Sequence, residues 1–289
     1  MSLQLGAFAR IWRRGSAGAI AQAMAGEGLT VAQWNFSALG LPTIDAHRTA
    51  EEHERVRGAF QAAGVEVWGL SASFNLIEPD LAERRRLVEG ACRMIGIAGA
   101  LGVTAVTVLT GSRSDDGYSF DPRNREPDAW EAMLRALEPL LAAAQTAGML
   151  IGVEPEGGNV VRDARCGLRL FDEFGADAPI GFIIDPWNLV EGDLLPGARQ
   201  RSAEVVVAEA FELLGSRAIC LQAKDPLGLQ YPQFGLDYRQ VAQCHSILDP
   251  RLPVVIQDVE EADIPRVVRE LRAVWSRPAG QQSTAEATY

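Results

Sequence analysis

The stretch 181–188, Gly-Phe-Ile-Ile-Asp-Pro-Trp-Asn, decides how the chain is read: a short apolar run stops at the carboxylate of Asp185, directly before a proline. Such a run, rich in β-branched and aromatic residues and bounded by a turn signal, reads as a buried strand. Working outward, the same form recurs upstream in IGVEPE (151–156), which ends on Glu154. It recurs downstream in ICLQAKD (219–225) and PVVIQDV (253–259), which end on Gln222 and Gln257. One polar strand end carries little weight, because Asp and Glu commonly cap the next helix. Four in succession point to a clustered site.

Extended over the whole sequence, the pattern gives eight strands, placed at Gln4–Phe8, Thr30–Phe36, Val65–Ser71, Ala105–Thr110, Leu150–Glu154, Gly181–Asp185, Ala218–Ala223 and Pro253–Gln257. Helical spacing fills the intervals at Ser16–Gly26, Thr49–Ala63, Asp80–Gly102, Asp128–Ala147, Arg162–Phe174, Ala203–Leu214, Asp237–Leu248 and Glu261–Trp275. Strand and helix in strict alternation imply parallel βαβ units, and eight of them imply closure into a single (β/α)₈ TIM barrel. Gly64, Gly102 and Gly148 each stand directly before a strand, where a left-handed residue ends the preceding helix. The stretches after strands four and seven, Thr110–Asp128 and Ala223–Leu236, are longer and more polar, as loops around an active site are.

Composition narrows the function classes. The chain has 289 residues, 47% hydrophobic and 22% charged, so residues 1–276 are expected to form one barrel and 277–289 a polar tail. A formal net charge of −11 argues against a nucleic-acid partner, whose affinity would rest on clustered Lys and Arg. No apolar window is long enough to span a membrane and no basic leader precedes an apolar run, so a cytoplasmic protein is expected. Cys92, Cys166, Cys220 and Cys244 form no C-x-x-C pair and read as buried thiols in a reducing compartment. His47 and His53 fall at the start of the second helix and His245 in the seventh, so histidine is expected to be missing from the strand ends.

These strings together resemble the xylose-isomerase-like sugar phosphate isomerase and epimerase superfamily. SASFNLIEPD (71–80), LTGSR (109–113), IGVEPEGGNVV (151–161) and LQAKD (221–225) are similar to its motifs, over roughly Leu3 to Trp275. The resemblance implies a sugar or polyol substrate, proton transfer beside a carbonyl, and one divalent metal held by Glu, Asp, His and Glu from strands five to eight. Glu154 and Asp185 match the first two of those ligands. Gln222 stands where relatives have His and Gln257 where they usually have Glu. A neutral carboxamide ligates hard cations weakly and cannot transfer a proton. The expectation for Glu154, Asp185, Gln222 and Gln257 is therefore a weakly held Mg, Mn or Ca ion, or none.

Two functions stay open at this stage. The first is an isomerase or epimerase-like enzyme working through an enediol, with Glu154 as base, Lys224 or a cation polarising the carbonyl, and Asp258 or Glu156 as substitute acid. The second is a barrel that has lost catalysis and binds or senses a sugar. Lys224 and Asp225 either touch substrate or fix their loop as an ion pair. Trp187 and Asn188 offer a stacking face and an amide, or Trp187 packs over the mouth. Asn75, past the third strand, either contacts a polyol or caps its loop. Homo-oligomer formation is left open.

Overall fold

A computed structural model of the chain describes residues 3–228, 235–249 and 251–276. The expected tail 277–289 and part of the loop after strand seven lie outside them. Eight parallel strands close a barrel in sequence order: β1 (Leu5–Phe8), β2 (Val31–Trp34), β3 (Glu66–Asn75), β4 (Ala105–Leu109), β5 (Leu150–Val153), β6 (Ile180–Ile184), β7 (Ala218–Lys224) and β8 (Val254–Gln257). Closure is made by β1 against β8, in the register Leu5 to Val254 and Ala7 to Ile256.

Outside the strands pack α1 (Ala17–Gly26), α2 (Ala50–Ala62), α3 (Leu81–Ile97), α4 (Pro127–Ala147), α5 (Ala164–Phe174), α6 (Pro186–Leu194), α7 (Ala203–Leu214), α8 (Tyr238–Ile247) and α9 (Ile264–Trp275). Their starts are fixed by side chains that accept from orphan backbone N–H groups: Ser16 for α1, Asp80 for α3, Asp163 for α5, and a full capping box of Thr49 with Glu52 for α2. Gly64, Gly102 and Gly148 take φ of 72°, 87° and 66° before β3, β4 and β5, the left-handed turns expected of them.

Two elements differ from the sequence expectation. Helix α6 was not anticipated, although Asp185 at its N-cap and Pro186 at its first position are ordinary start signals. Strand β3 runs on to Asn75, with a register shift between Ser71 and Asn75, so Asn75 ends the strand where it had been placed beyond it.

The main core lies between strands and helices, and a second small cluster, including Val31, Ala105, Ile183, Cys220 and Val255, packs separately from it. Each of those five stands two residues before a polar residue: Gln33, Thr107, Asp185, Gln222 and Gln257. Because side chains alternate along a strand, both members of each pair face the barrel interior. The barrel is thus plugged by apolar side chains, and its polar groups stand above the plug, at the C-terminal ends of the strands. Among the described residues no helix is long and apolar enough to cross a membrane.

Candidate active site

A cavity of about 230 Å³ opens at this C-terminal mouth, and Glu154, Glu156, Asn188, Gln222, Lys224 and Gln257 all reach it. A larger cavity, about 910 Å³, opens at the opposite end beside Arg57, Gly102, Arg272 and Trp275. Barrel enzymes work from the C-terminal face, and the clustered acids of this chain are at the smaller opening.

Glu154 is buried just past the end of β5, and its carboxylate accepts from Asn188 Nδ2. The other side of Asn188 takes a charge: Lys224 Nζ donates to its Oδ1 at 3.0 Å. Lys224 also lies 3.0 Å from Asp258 Oδ2, and Asp258 in turn accepts from Arg10 Nη2 at 3.0 Å. A cation and a buried acid are therefore joined through one amide. Gln222, with its amide nitrogen turned toward the acid, lies 3.0 and 3.2 Å from the two Glu154 oxygens and 3.0 Å from Gln257 Oε1.

Burial dominates the proton affinities. It pushes Glu154 well above the usual carboxylate range, helped by the charges of Glu156 and Asp185 and opposed by Lys224 and Asn188. Glu156 is raised to about 7 by burial against the pull of Lys224. Asp185, wholly buried, is raised to about 6 by burial, against Lys224 and the backbone N–H groups of Asn188 and Trp187. Burial alone would lower Lys224, but the charges of Asp185, Asp258 and Glu154 outweigh it and hold the ammonium firmly charged. The mouth thus has a buried cation, Lys224, beside two acids just past β5, Glu154 held well above the ordinary carboxylate range and Glu156 raised to about 7.

The donor set does not fit the divalent metal of the resembled superfamily. Asp185 Oδ1 is occupied in capping α6, accepting from Trp187 N at 2.9 Å and Asn188 N at 3.3 Å. Glu154 already accepts from the Asn188 amide, and the neutral side chains of Gln222 and Gln257 add no charge to the set. No group of three or more His, Cys, Asp or Glu able to hold an ion occurs among the described residues. The three histidines are elsewhere: His53 and His245 are buried in α2 and α8 against backbone carbonyls, and His47 is exposed.

Four sequence candidates do not reach the cavity, the first being Asp185, wholly buried at the N-cap of α6. Asn75 is taken up by its own loop, donating to Ser112 O at 2.8 Å and accepting from Ser112 N at 3.1 Å and Ile77 N at 3.2 Å, in line with the second of the two roles the sequence left open for it. Trp187 is buried with the Lys224 ammonium 4.6 Å from its ring centre, so the ring backs the cation. Asp225 is buried off the cavity, leaving β7 with φ of 44°. Sequence reading also missed the polar half contributed by β1 to β4. Gln33 donates to Thr107 Oγ1 at 3.3 Å, Asn35 to Ser71 Oγ at 3.1 Å, and Arg10 closes the rim. The signal was present as polar residues two apart, Gln33 with Asn35 and Ser71 with Ser73.

Comparison with solved structures gives the same architecture. The chain resembles a 3-keto-D-glucoside 4-epimerase of E. coli, at TM-score 0.72 and 14% identity, covering 94% of this chain and 100% of that one. It resembles a D-psicose 3-epimerase of Clostridium cellulolyticum determined with D-tagatose, at TM-score 0.66 and 12% identity, covering 94% and 96%. A xylose isomerase-like TIM barrel protein of Mycobacterium smegmatis, in complex with magnesium, matches at TM-score 0.64 and 14% identity, covering 95% and 98%. No curated protein matches the sequence. At these identities the likeness is one of fold, but a family model matches residues 27–240 directly, and the chain belongs to the xylose isomerase-like TIM barrel family.

Proposed function

We propose that the protein is a sugar or polyol isomerase or epimerase-like enzyme acting through an enediol-type intermediate at the C-terminal mouth. The observation that carries this reading is the link from the Lys224 ammonium through Asn188 to the buried Glu154 carboxyl. Fold neighbours that act as sugar epimerases support the substrate class.

In this reading Glu154 removes the proton from the carbon beside the substrate carbonyl. The released electron pair forms the enediol double bond, and the carbonyl oxygen gains charge next to Lys224, a fixed cation in a site of low dielectric. Glu156, raised to about 7, takes up that proton from Glu154 and returns it to the former carbonyl carbon. The proton of the neighbouring hydroxyl passes to the former carbonyl oxygen, so that the new carbonyl forms one carbon along. Isomerisation needs one such face. Epimerisation needs an acid on the opposite face, and Gln257 cannot supply a proton. No step requires a divalent cation.

The decisive measurement is deuterium uptake from D₂O into a panel of aldoses, ketoses and inositols, followed by NMR. Uptake that falls about 10²–10⁴-fold in Glu154→Gln, with the fold unchanged by circular dichroism, supports the assignment. Unchanged uptake in that variant overturns it. A second reading, a sugar-binding barrel without catalysis, is favoured by the amides of Gln222 and Gln257 where proton-transferring or metal-binding groups would stand. It predicts sugar binding with no exchange in the parent protein.

A further inference from the structure

We propose that the substrate carries a second sugar ring, so that the site accepts a disaccharide-sized glycoside: the reacting ring in the mouth, the second in a groove beside it, stacked on Tyr118. This rests on the mouth being a sugar site, as proposed above.

The mouth cavity, about 230 Å³, falls below the roughly 300–1,000 Å³ common for sites that enclose a ligand. A groove of about 580 Å³ adjoins it, and Thr43, Ser73 and Tyr118 form a wall common to both. A ligand too large for the mouth meets Tyr118 where the two cavities adjoin.

Tyr118 is 51% exposed, unusual for a large aromatic side chain on a loop that is otherwise tied down. Asp116 accepts from the backbone N–H groups of Tyr118 and Ser119, both at 2.8 Å, and from Ser114 Oγ at 2.7 Å. From beneath, Asn75 clamps Ser112, and Gly117, at φ of 73°, lies so close to Asn75 that an added Cβ would sit 3.1 Å from its Nδ2. The loop's polar side chains fix its backbone, and the tyrosine ring is left over at the junction of two cavities. A flat apolar face with a hydroxyl at one edge suits a pyranose, which offers a C–H face ringed by hydroxyls. Glu78, Arg86 and Asp115 line the same groove. Those charged groups would lose hydration without compensation against an apolar aglycone, so the second unit is hydroxylated.

The test is titration calorimetry with glucose, galactose, cellobiose, maltose and lactose on the parent protein, Tyr118→Ala and Tyr118→Phe. At least one disaccharide is expected to bind about ten-fold more tightly than its monosaccharides. Tyr118→Ala should bring that ratio close to one and Tyr118→Phe should keep it. A ratio near one in the parent, or a ratio that Tyr118→Ala leaves intact, overturns the groove as a sugar subsite. If monosaccharide binding is then still abolished by Asn188→Ala, the mouth remains a sugar site and the groove alone has failed. If none of the five sugars binds, the groove as a sugar subsite is overturned, and the deuterium-exchange panel decides the mouth separately.

Discussion

Lys224 Nζ lies 3.0 Å from Asp258 Oδ2, and each residue belongs to the end of its strand, β7 or the turn just after β8. Asp258 holds φ of 50°, a left-handed conformation that an aspartate adopts more readily than most side chains but still at some cost. That turn brings its carboxylate back toward β7, where it anchors the only lysine of the mouth. The cation is held by residues of the chain itself, in the same mouth as Glu154, Gln222 and Gln257.

Replacing Lys224 with Met should therefore act twice. Loss of the fixed cation is expected to lower kcat/KM by about 10²–10³-fold. It also leaves the buried Asp185 without the charge of Lys224, at a cost of roughly 3–5 kcal/mol where that acid remains ionised, whereas Asp258 keeps Arg10 as a partner. Because Asp185 and Glu156 take up protons near pH 6 and 7, the loss in Tm should be larger at pH 8 than at pH 5. An equal loss at both values would show that Lys224 does not serve as their counter-ion.

Glu156 gives a pH dependence of opposite origin. Its folded pKa, about 7, is above the ordinary 4.5, so the folded state binds the extra proton and the resulting stability is present below pH 4.5. That stability is lost as pH rises through 7. Glu156→Gln cannot lose it, and the variant should gain on the parent between pH 4.5 and 7.5 by on the order of 2–3 kcal/mol. Urea titrations at several pH values check this, and a pH-independent difference would contradict it.

The amides at the strand ends can be tested by reversing them. Gln222→His with Gln257→Glu supplies four ligands of the family type, and manganese should then raise Tm by several degrees through mass action. In the parent, neither manganese nor EDTA is expected to shift Tm or turnover. A parent stabilised by manganese as strongly as the double variant would mean that Glu154 and Asp185 are available to a metal despite their hydrogen bonds.

Asn75→Ala addresses the loop. Three hydrogen bonds to Ser112 and Ile77 disappear, leaving two backbone N–H groups and a carbonyl in a partly buried place. A destabilisation of about 1–3 kcal/mol is expected, with faster amide exchange across residues 110–128. Unchanged exchange there would show that the loop is held without Asn75, by Asp116 and by Asn124, which accepts from Arg113 N at 2.7 Å and donates to Ser112 Oγ at 2.8 Å.

The sequence by itself determined the barrel, because alternation of strand and helix is written locally: β-branched runs, helical spacing, capping residues and glycines at the turns all agree. It also determined that Glu154, Asp185, Gln222 and Gln257 share one end, since strands of a closed parallel barrel all point the same way. Tertiary structure alone decided what those groups do to one another. That Gln222 and Asn188 donate to Glu154, that Trp187 backs Lys224, and that Asn75 serves its loop depends on side-chain directions. Contacts such as those of Asn188 with Glu154, 34 positions apart, and of Lys224 with Asn188, 36 apart, arise only when the barrel closes. The proton affinities follow the same rule: a carboxylate's ordinary value is a property of its type, but the rise of Glu154, Glu156 and Asp185 comes from burial and mutual repulsion, which exist only in the folded mouth.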